Sequence, residues 1–324
     1  MNKIITFLIC IAVGLTADGK IGGVTYCDFI YSDTDDSTAF NFQRQYFSYA
    51  IDMSDDIKFT LVFDVDRTNK LDGEDARLVA FLKKAQIEYK TSIGKVSMGL
   101  IGMNTHAVQE KNWGNRFIEK SAMDKNKYST SADLGIGFSR RLKDDLNISL
   151  QIVNGEGYKE PQGDKQMKIS FNTTYGEVNL NKNDGYNAGI VYSTEGLESA
   201  PDKNMISAFG GFSGKGSRLG AEYDLLHQGN TESNIISISS NYDITEYLDA
   251  FVRYDIYDPD TKYTYKIETY IEEDKGRLSS NYLISGILFN CGNGLSVAPN
   301  VRMTFIENGT KDLNEYKINF QYIF

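Results

Sequence analysis

Residues 315–324 read Glu-Tyr-Lys-Ile-Asn-Phe-Gln-Tyr-Ile-Phe and end the chain. Tyr316, Ile318, Phe320, Tyr322 and Phe324 alternate with Glu315, Lys317, Asn319 and Gln321; Ile323 is the one apolar intruder. Period two is the mark of a strand with one apolar face, because successive side chains of an extended chain point to opposite sides. The same phase recurs upstream. Phe59, Leu61, Phe63 and Val65 share a face, as do Leu146, Ile148, Leu150 and Ile152, and Leu248, Ala250, Val252, Tyr254 and Ile256. On the opposite faces of these four strands the apolar exceptions are Val62, Val153, Phe251 and Ile323.

Extending the pattern along the chain predicts strands at 20–32, 39–50, 57–66, 82–91, 95–103, 129–142, 145–154, 165–175, 185–193, 204–213, 216–226, 233–242, 247–257, 280–290, 294–306 and 315–324. Most hold roughly 10 residues, the length a tilted strand needs to cross a bilayer. Connections after even strands are short: 51–56, 92–94, 143–144, 214–215, 243–246 and 291–293. Connections after odd strands are long and polar: 67–81, 104–128, 155–164, 194–203, 258–279 and 307–314. That segregation belongs to an outer-membrane barrel, and a soluble sandwich has no reason for it. The expected fold is an all-β, transmembrane, antiparallel up-and-down barrel of about sixteen strands with a partly helical loop at 104–128. The connection 176–184 breaks the short-turn rule and keeps fourteen or eighteen strands open. Pro161, Pro201 and Pro259 fall in long loops, where no ladder bond is lost; Pro299 falls inside a strand without an explanation from sequence.

Composition fits. The 324 residues carry 34 basic and 44 acidic side chains, a net charge of −10, with 21 Tyr, 18 Phe and 29 Gly against one Trp and two His. The mean hydropathy is negative. Many aromatics in a chain that is polar on average suit strands with one face to lipid and one to water. An acidic balance argues against nucleic acid as a partner. Met1–Ala17 reads as a secretory signal: Lys3, an apolar run from Ile4 to Leu15, then Thr16-Ala17 at the cut, with Leu15 a poor match to the small-residue rule. Residues 18–324 then form the barrel domain. Cys10 would leave with the signal, and Ile9 before it is wrong for a lipoprotein. Cys27 on the first strand and Cys291 after the fourteenth are not neighbours, so no disulfide is expected.

At this point the residues carry a resemblance. The aromatic terminal strand, the segment Trp113-Gly114-Asn115-Arg116 with Ile118-Glu119-Lys120, and the pair Ser131-Ala132-Asp133-Leu134-Gly135 and Val153-Asn154-Gly155-Glu156-Gly157 are together similar to Gram-negative outer-membrane porins, specifically the phosphate-selective porin family. No phosphate-binding motif is matched, and phosphate is not carried over. The resemblance implies that Phe320, Tyr322 and Phe324 form the signal read by barrel-assembly machinery. It implies that the loop 104–128 folds inward, with Glu110, Lys111, Trp113, Arg116, Glu119 and Lys120 setting the constriction. A homotrimer in the outer membrane is implied as well.

Sixteen strands leave a water-filled lumen, lined by the neighbours of the lipid-facing positions. The alternation places Lys58, Lys84, Lys90, Lys168, Arg218, Arg253, Arg302 and Lys317 inside, with Asp64, Glu88, Glu222, Asp224, Asp249 and Asp255. A charge on the lipid face would cost about 2–4 kcal/mol near the midplane. The expected function is passive diffusion of small hydrophilic solutes and ions, leaning weakly to anions. The alternatives are an adhesin or structural barrel and a transporter of apolar molecules. The carboxylates of acidic loops such as Asp33-Thr34-Asp35-Asp36 and Glu272-Glu273-Asp274 could bind calcium or bridge lipopolysaccharide through divalent ions, the alternative being plain solvated loops. No catalytic set is expected: His106 and His227 lack the spacing for zinc or a triad. No cofactor is expected. Gly211-Phe212-Ser213-Gly214-Lys215-Gly216 is short by two residues for a phosphate loop and reads as a tight turn.

Overall fold

The computed structural model describes residues 19–34, 36–67, 77–142, 145–198, 200–259, 279–306 and 313–324. The signal segment, the run 272–274 and most of the connections 67–81, 258–279 and 307–314 lie outside the described residues.

Sixteen antiparallel strands close into one barrel, each paired to its sequence neighbours and the last to the first. They are β1 (Lys20–Ser32), β2 (Ser37–Asp52), β3 (Ile57–Arg67), β4 (Leu78–Thr91), β5 (Gly94–Gly102), β6 (Ala132–Arg141), β7 (Leu146–Val153) and β8 (Lys168–Gly176), then β9 (Gly185–Glu195), β10 (Lys203–Gly214), β11 (Ser217–Gln228), β12 (Thr231–Thr245), β13 (Leu248–Asp258), β14 (Ser280–Gly292), β15 (Leu295–Ile306) and β16 (Leu313–Ile323). Between β5 and β6 lie two short helices, α1 (Ala107–Trp113) and α2 (Ala122–Lys125). The seam joins Val24 to Ile323 through Ser32 to Glu315, and Gly23 and Phe324 exchange backbone bonds of 3.0 and 3.1 Å. Closure removes the unpaired edge that an open sheet would present to lipid.

The two faces separate by chemistry. On β13, Val252, Tyr254 and Ile256 are exposed on the outer wall while Phe251, Arg253 and Asp255 are buried inside. On β16, Tyr316, Ile318 and Tyr322 are outside and Asn319 is buried. An exposed apolar band would aggregate in water; around a closed barrel it is the surface lipid covers.

Three irregularities explain what period two left unsettled. The β1–β2 register jumps from Tyr26↔Arg44 to Cys27↔Phe42, leaving Gln43 unmatched. The β3–β4 register jumps from Val62↔Lys84 to Phe63↔Leu82, leaving Lys83 unmatched. Each bulge turns two consecutive side chains to the lumen. Pro299 sits where the β14–β15 ladder lapses between Gly286↔Asn300 and Phe289↔Val297, so its missing N–H costs no bond on that side.

The β10–β11 turn is made by Lys215 and Gly216, both left-handed (φ 54° and 74°). The glycine-rich stretch is therefore a two-residue hairpin, with Lys215 in the first left-handed position and Gly216 in the second, and Gly214 not among the left-handed residues. Cys27 and Cys291 are both free; Cys291 belongs to the end of β14 rather than to the turn after it.

Candidate functional site: the lumen and its inner loop

The connection 104–128 lies inside the barrel, against the wall formed by β8 to β16. Its helix α1 starts at His106 without a side-chain cap and ends on Gly114 in the left-handed region (φ 76°). Its left-handed backbone is what favours glycine; a Cβ there would also displace the ends of two side chains, the Arg218 guanidinium at 2.4 Å and Asn181 Oδ1 at 2.5 Å. Replacing Gly114 by valine is expected to push α1 off the wall, read as faster hydrogen exchange over 104–128 with the strands unchanged.

Polar side chains from the wall hold the loop along its length. Gln109 donates to Ser207 Oγ at 3.2 Å, and the Asn112 and Asn187 amides exchange bonds of 2.9 Å. Arg218 donates to the Trp113 carbonyl at 3.2 Å, and Asn115 to Asn241 at 2.5 Å. Arg253 donates to the Lys120 carbonyl at 2.5 Å, and Asn319 Nδ2 to the Phe117 carbonyl at 3.3 Å. Trp113 gives its Nε1–H to the Glu119 carbonyl and packs edge-on to Phe251, with Arg253 over its ring.

Arg218, Arg253 and Arg302 thus point inward as the alternation places them, yet lie beneath the loop rather than against open water. Arg253 chelates Asp255 through Nε and Nη2 (2.8 and 2.6 Å). Arg302 bridges Glu119 (2.9 Å), the Ile118 carbonyl (2.5 Å), Asn300 (3.0 Å) and Asn319 (3.2 Å). Lys168 is buried against Glu195 at 3.1 Å, and Lys317 pairs with Glu315 at 3.3 Å. Lys58 and Lys90 are exposed near the short-turn rim, where Lys90 reaches the Asp55 carbonyl.

Glu119 is the buried charge that decides the loop. Burial alone would raise its carboxyl, but Arg302, Lys125, Arg253 and the Lys120 N–H outweigh that and hold it at about 2. Tyr282 also donates to it at 3.0 Å. A carboxyl held below its ordinary value of about 4.3 stabilises the fold above that value, and loses the contribution as pH falls through the folded value. Loop protection from hydrogen exchange is therefore expected to be constant above about pH 4.5 and to fall between there and about pH 2. Flat protection across that range would refute the assignment.

Two water-accessible cavities use the loop as one wall. The larger, about 750 Å³, lies on the short-turn side. It is lined by Lys84, Lys95, Lys111, Arg140 and Arg141, against Glu88 among the described acidic residues. The second, about 340 Å³, lies on the long-loop side. Its lining includes Arg44, Arg116, Lys120, Lys127 and Lys159 against Asp124 and Glu156. The wall opposite the loop also presents Lys83, which donates to Tyr46 at 3.1 Å and sits over that ring. Arg44 pairs with Asp64 (2.7 Å) and Asp66 (3.2 Å). From the connection after β7, Tyr158 donates to Asp64 at 2.5 Å and Lys159 pairs with Asp66 at 2.8 Å, so this segment also bends into the lumen. Arg44 and Lys83 escape period-two reading because the bulges shift their phase.

On the loop itself, Arg116 bridges Glu110 (3.0 Å) and Asp124 (3.1 Å). Ligand atoms of His106, Glu110 and Asp124 lie within 4.8 Å of one another. The guanidinium already neutralises both carboxylates, and burial pushes the His106 imidazole down, towards its neutral form. The arrangement is an internal ion pair on the loop, which fixes Arg116 at the lumen.

The connection 177–184 earns its extra length here. Leu180 is buried and Val178 packs on the core formed by Val108, Met123, Val191 and Met205. Asn181 accepts from Arg218 at 2.8 Å. This segment supports α1 from the short-turn side.

No family model matches the chain, and no curated protein sequence matches it. Solved structures do. The chain is similar to OmpF of Salmonella typhi, solved in complex with daunomycin, at 11% identity and a TM-score of 0.71, over 95% of this chain and 98% of that one. It is similar to an anion-selective porin from Comamonas acidovorans at 9% identity and 0.64, over 95% and 100%. It is also similar to the trimer form of OmpT, an outer membrane protein of Vibrio cholerae, at 11% and 0.62, over 95% and 99%. At such identities the likeness is one of architecture, and over nearly its whole length the chain has the fold of the Gram-negative outer-membrane porins.

Proposed function

We propose that the protein is an outer-membrane porin, a passive channel for small hydrophilic solutes and ions that favours anions and carries out no chemical reaction. The observation that supports it is the charge of the lumen. Five cations face Glu88 in the larger cavity, inside a chain whose net charge is −10; in the smaller one Arg44, Lys159 and Arg116 are paired with Asp64, Asp66, Glu110 and Asp124, which leaves Lys120 and Lys127 beside Glu156. Cations concentrated on a low-dielectric wall raise the local concentration of anions. The likeness to an anion-selective porin runs in the same direction. The motif likeness to the phosphate-selective porins adds no solute of its own.

The homotrimer, the lipopolysaccharide contacts, the secretory leader at 1–17 and the reading of Phe320, Tyr322 and Phe324 by assembly machinery belong to the same proposal. The trimeric neighbour supports the first. Loop 104–128 narrows the passage with Lys111, Arg116 and Lys120 at its open side and Glu110 held by Arg116, while Trp113 and Glu119 face the wall and anchor it. Lys84 lines it alongside Lys111; Arg218, Arg253 and Arg302 anchor the loop, Lys168 and Lys317 pair within the wall, and Lys58 and Lys90 stand exposed near the rim.

Planar-bilayer recording of the refolded protein under a KCl gradient tests the reading. Stable steps with a reversal potential on the chloride side are expected. Lys84→Glu with Lys111→Glu reverses two of the five cations in the larger cavity and is expected to move that potential towards the potassium side. Folded protein that passes no current would overturn the channel.

A further inference from the structure

Strand β5 ends early. Its ladder with β4 runs from Thr91↔Gly94 to Ala85↔Leu100, and its ladder with β6 stops at Gly102↔Ala132, where the chain leaves the wall to become the inner loop. Strand β4 begins at Leu78, so its long-loop half, from Leu78 to Lys84, has no β5 beside it. The wall is notched there, between β4 and β6. Without a cover the mouth would be widest on this side.

The connection after β7 supplies that cover. Its base is fixed: Asp133 accepts from the Leu134 and Gly155 N–H groups at 2.7 and 2.8 Å, and the Tyr158 N–H donates to the Ala132 carbonyl at 3.1 Å. Gly155 and Gly157 give the left-handed backbone (φ 128° and 88°) that turns the chain inward. From this base two side chains cross in front of β4 and β5. The Tyr158 hydroxyl donates to Asp64 on β3 at 2.5 Å and accepts from Arg44 on β2 at 3.4 Å, with the Lys83 ammonium over its ring. Lys159 pairs with Asp66 at 2.8 Å and lies over the Phe81 ring. Strands β3 and β6 have β4 and β5 between them, so these contacts follow a chord across the lumen rather than the wall. Asp64 is 0% exposed, and an O–H···O⁻ bond shielded from water is strong, which makes the crossing a standing one.

We propose, on the reading of the lumen as a passage, that residues 155–159 form a second constriction in series with the inner loop, in which Tyr158 sets the width and Lys159 the charge of the long-loop entrance. The 340 Å³ cavity lies between the two elements, with Tyr158 and Lys159 on one side and Arg116 and Lys120 on the other. A solute from that side passes between them before it reaches the larger cavity. The wall beneath does not need this strap for its own charge balance, because Arg44 bonds both Asp64 and Asp66 without it. Removing the strap therefore opens the entrance and leaves the barrel intact.

The test compares the whole refolded barrel with its Tyr158→Ala, Lys159→Ala double variant in planar bilayers, with polyethylene glycols of graded size added to each side in turn. Larger steps, and a larger polymer cut-off from one side only, are expected of the variant. Lys159→Gln leaves Tyr158 in place, so it should keep the cut-off and move the KCl reversal potential towards the potassium side. Lys165→Gln, exposed further along the same connection, should change neither. Steps and cut-offs equal to the parent's in a folded double variant would overturn the constriction and leave the strap a brace. A folded parent that passes no current would overturn the channel reading instead. The crossing itself is then read from Asp66→Cys with Lys159→Cys, in a chain carrying Cys27→Ser and Cys291→Ser, joined by a short bis-maleimide. Joining within the folded barrel is expected, and failure to join would overturn the crossing. Should the double alanine variant not refold, the same cysteine pair decides: the joined form should keep the parent's cut-off and the unjoined form should exceed it, and equal cut-offs would overturn the constriction.

Discussion

An Arg302→Ala variant is expected to lose about 3–5 kcal/mol of stability, the cost of breaking a buried ion pair from one side, and to release the C-terminal half of the 104–128 loop. Arg302 and Glu119 are both largely buried, and the same guanidinium holds the Ile118 carbonyl, Asn300 and Asn319. Truncation leaves the Glu119 carboxylate facing Tyr282 and Lys125 without its main counter-charge, and burial then drives it towards protonation. In bilayers the variant should show larger and noisier steps than the parent. Arg302→Met combined with Glu119→Gln removes both charges and should recover most of the stability, but not the quiet current. Equal unfolding midpoints and equal noise in parent and Arg302→Ala would show that the pair does not hold the loop.

The second large effect is expected at the β14–β15 turn. Gly292, Asn293 and Gly294 are all left-handed, with φ of 79°, 50° and 82°. A Cβ on Gly294 would stand 2.0 Å from the Ile323 carbonyl oxygen and 3.0 Å from its carbon, both backbone. The Ile323 N–H bonds the Gly294 carbonyl at 2.9 Å, so neither chain can retreat without opening the last strand. A Cβ on Gly292 meets nothing within 4 Å and would cost only the left-handed conformation, about 1–2 kcal/mol. Gly294→Ala should therefore leave most of the protein unfolded by gel mobility, whereas Gly292→Ala should fold with a modestly lower midpoint. Equal folding of the two would refute the turn's role in closing the seam.

The architecture was legible because it rests on two signals that do not depend on each other. Period two located all sixteen strands, with ends displaced by at most a few residues, and the segregation of loop lengths identified the two ends of the barrel. What escaped is equally physical. Phe40 and Phe42 share the period-two phase of Arg44, and Ala85, Ile87 and Tyr89 share that of Lys83, so strict alternation sends both cations to lipid. The unmatched residues Gln43 and Lys83 reverse the phase partway along β2 and β4. A bulge leaves no compositional mark in one sequence, although a basic residue stranded on an apolar face is itself a warning. Likewise, alternation turned Arg218, Arg253 and Arg302 inward, but it carries no information about a loop lying on top of them. Pro299 needed the pairing register, which no single strand contains.

The connection between β8 and β9 bears on how this chain can be altered. Short links at the inner rim of a barrel ordinarily accept tags, epitopes or deletions with little consequence, because their ends are already fixed by the strands. Residues 177–184 look like the most permissive of them by length. With Leu180 under α1 and Asn181 on Arg218, a change in length there would act on the passage itself rather than on the rim. A library of insertions should find the 53–56 hairpin silent and the 177–184 segment intolerant, and a chain that diversified here would change what it admits before it changed how it folds.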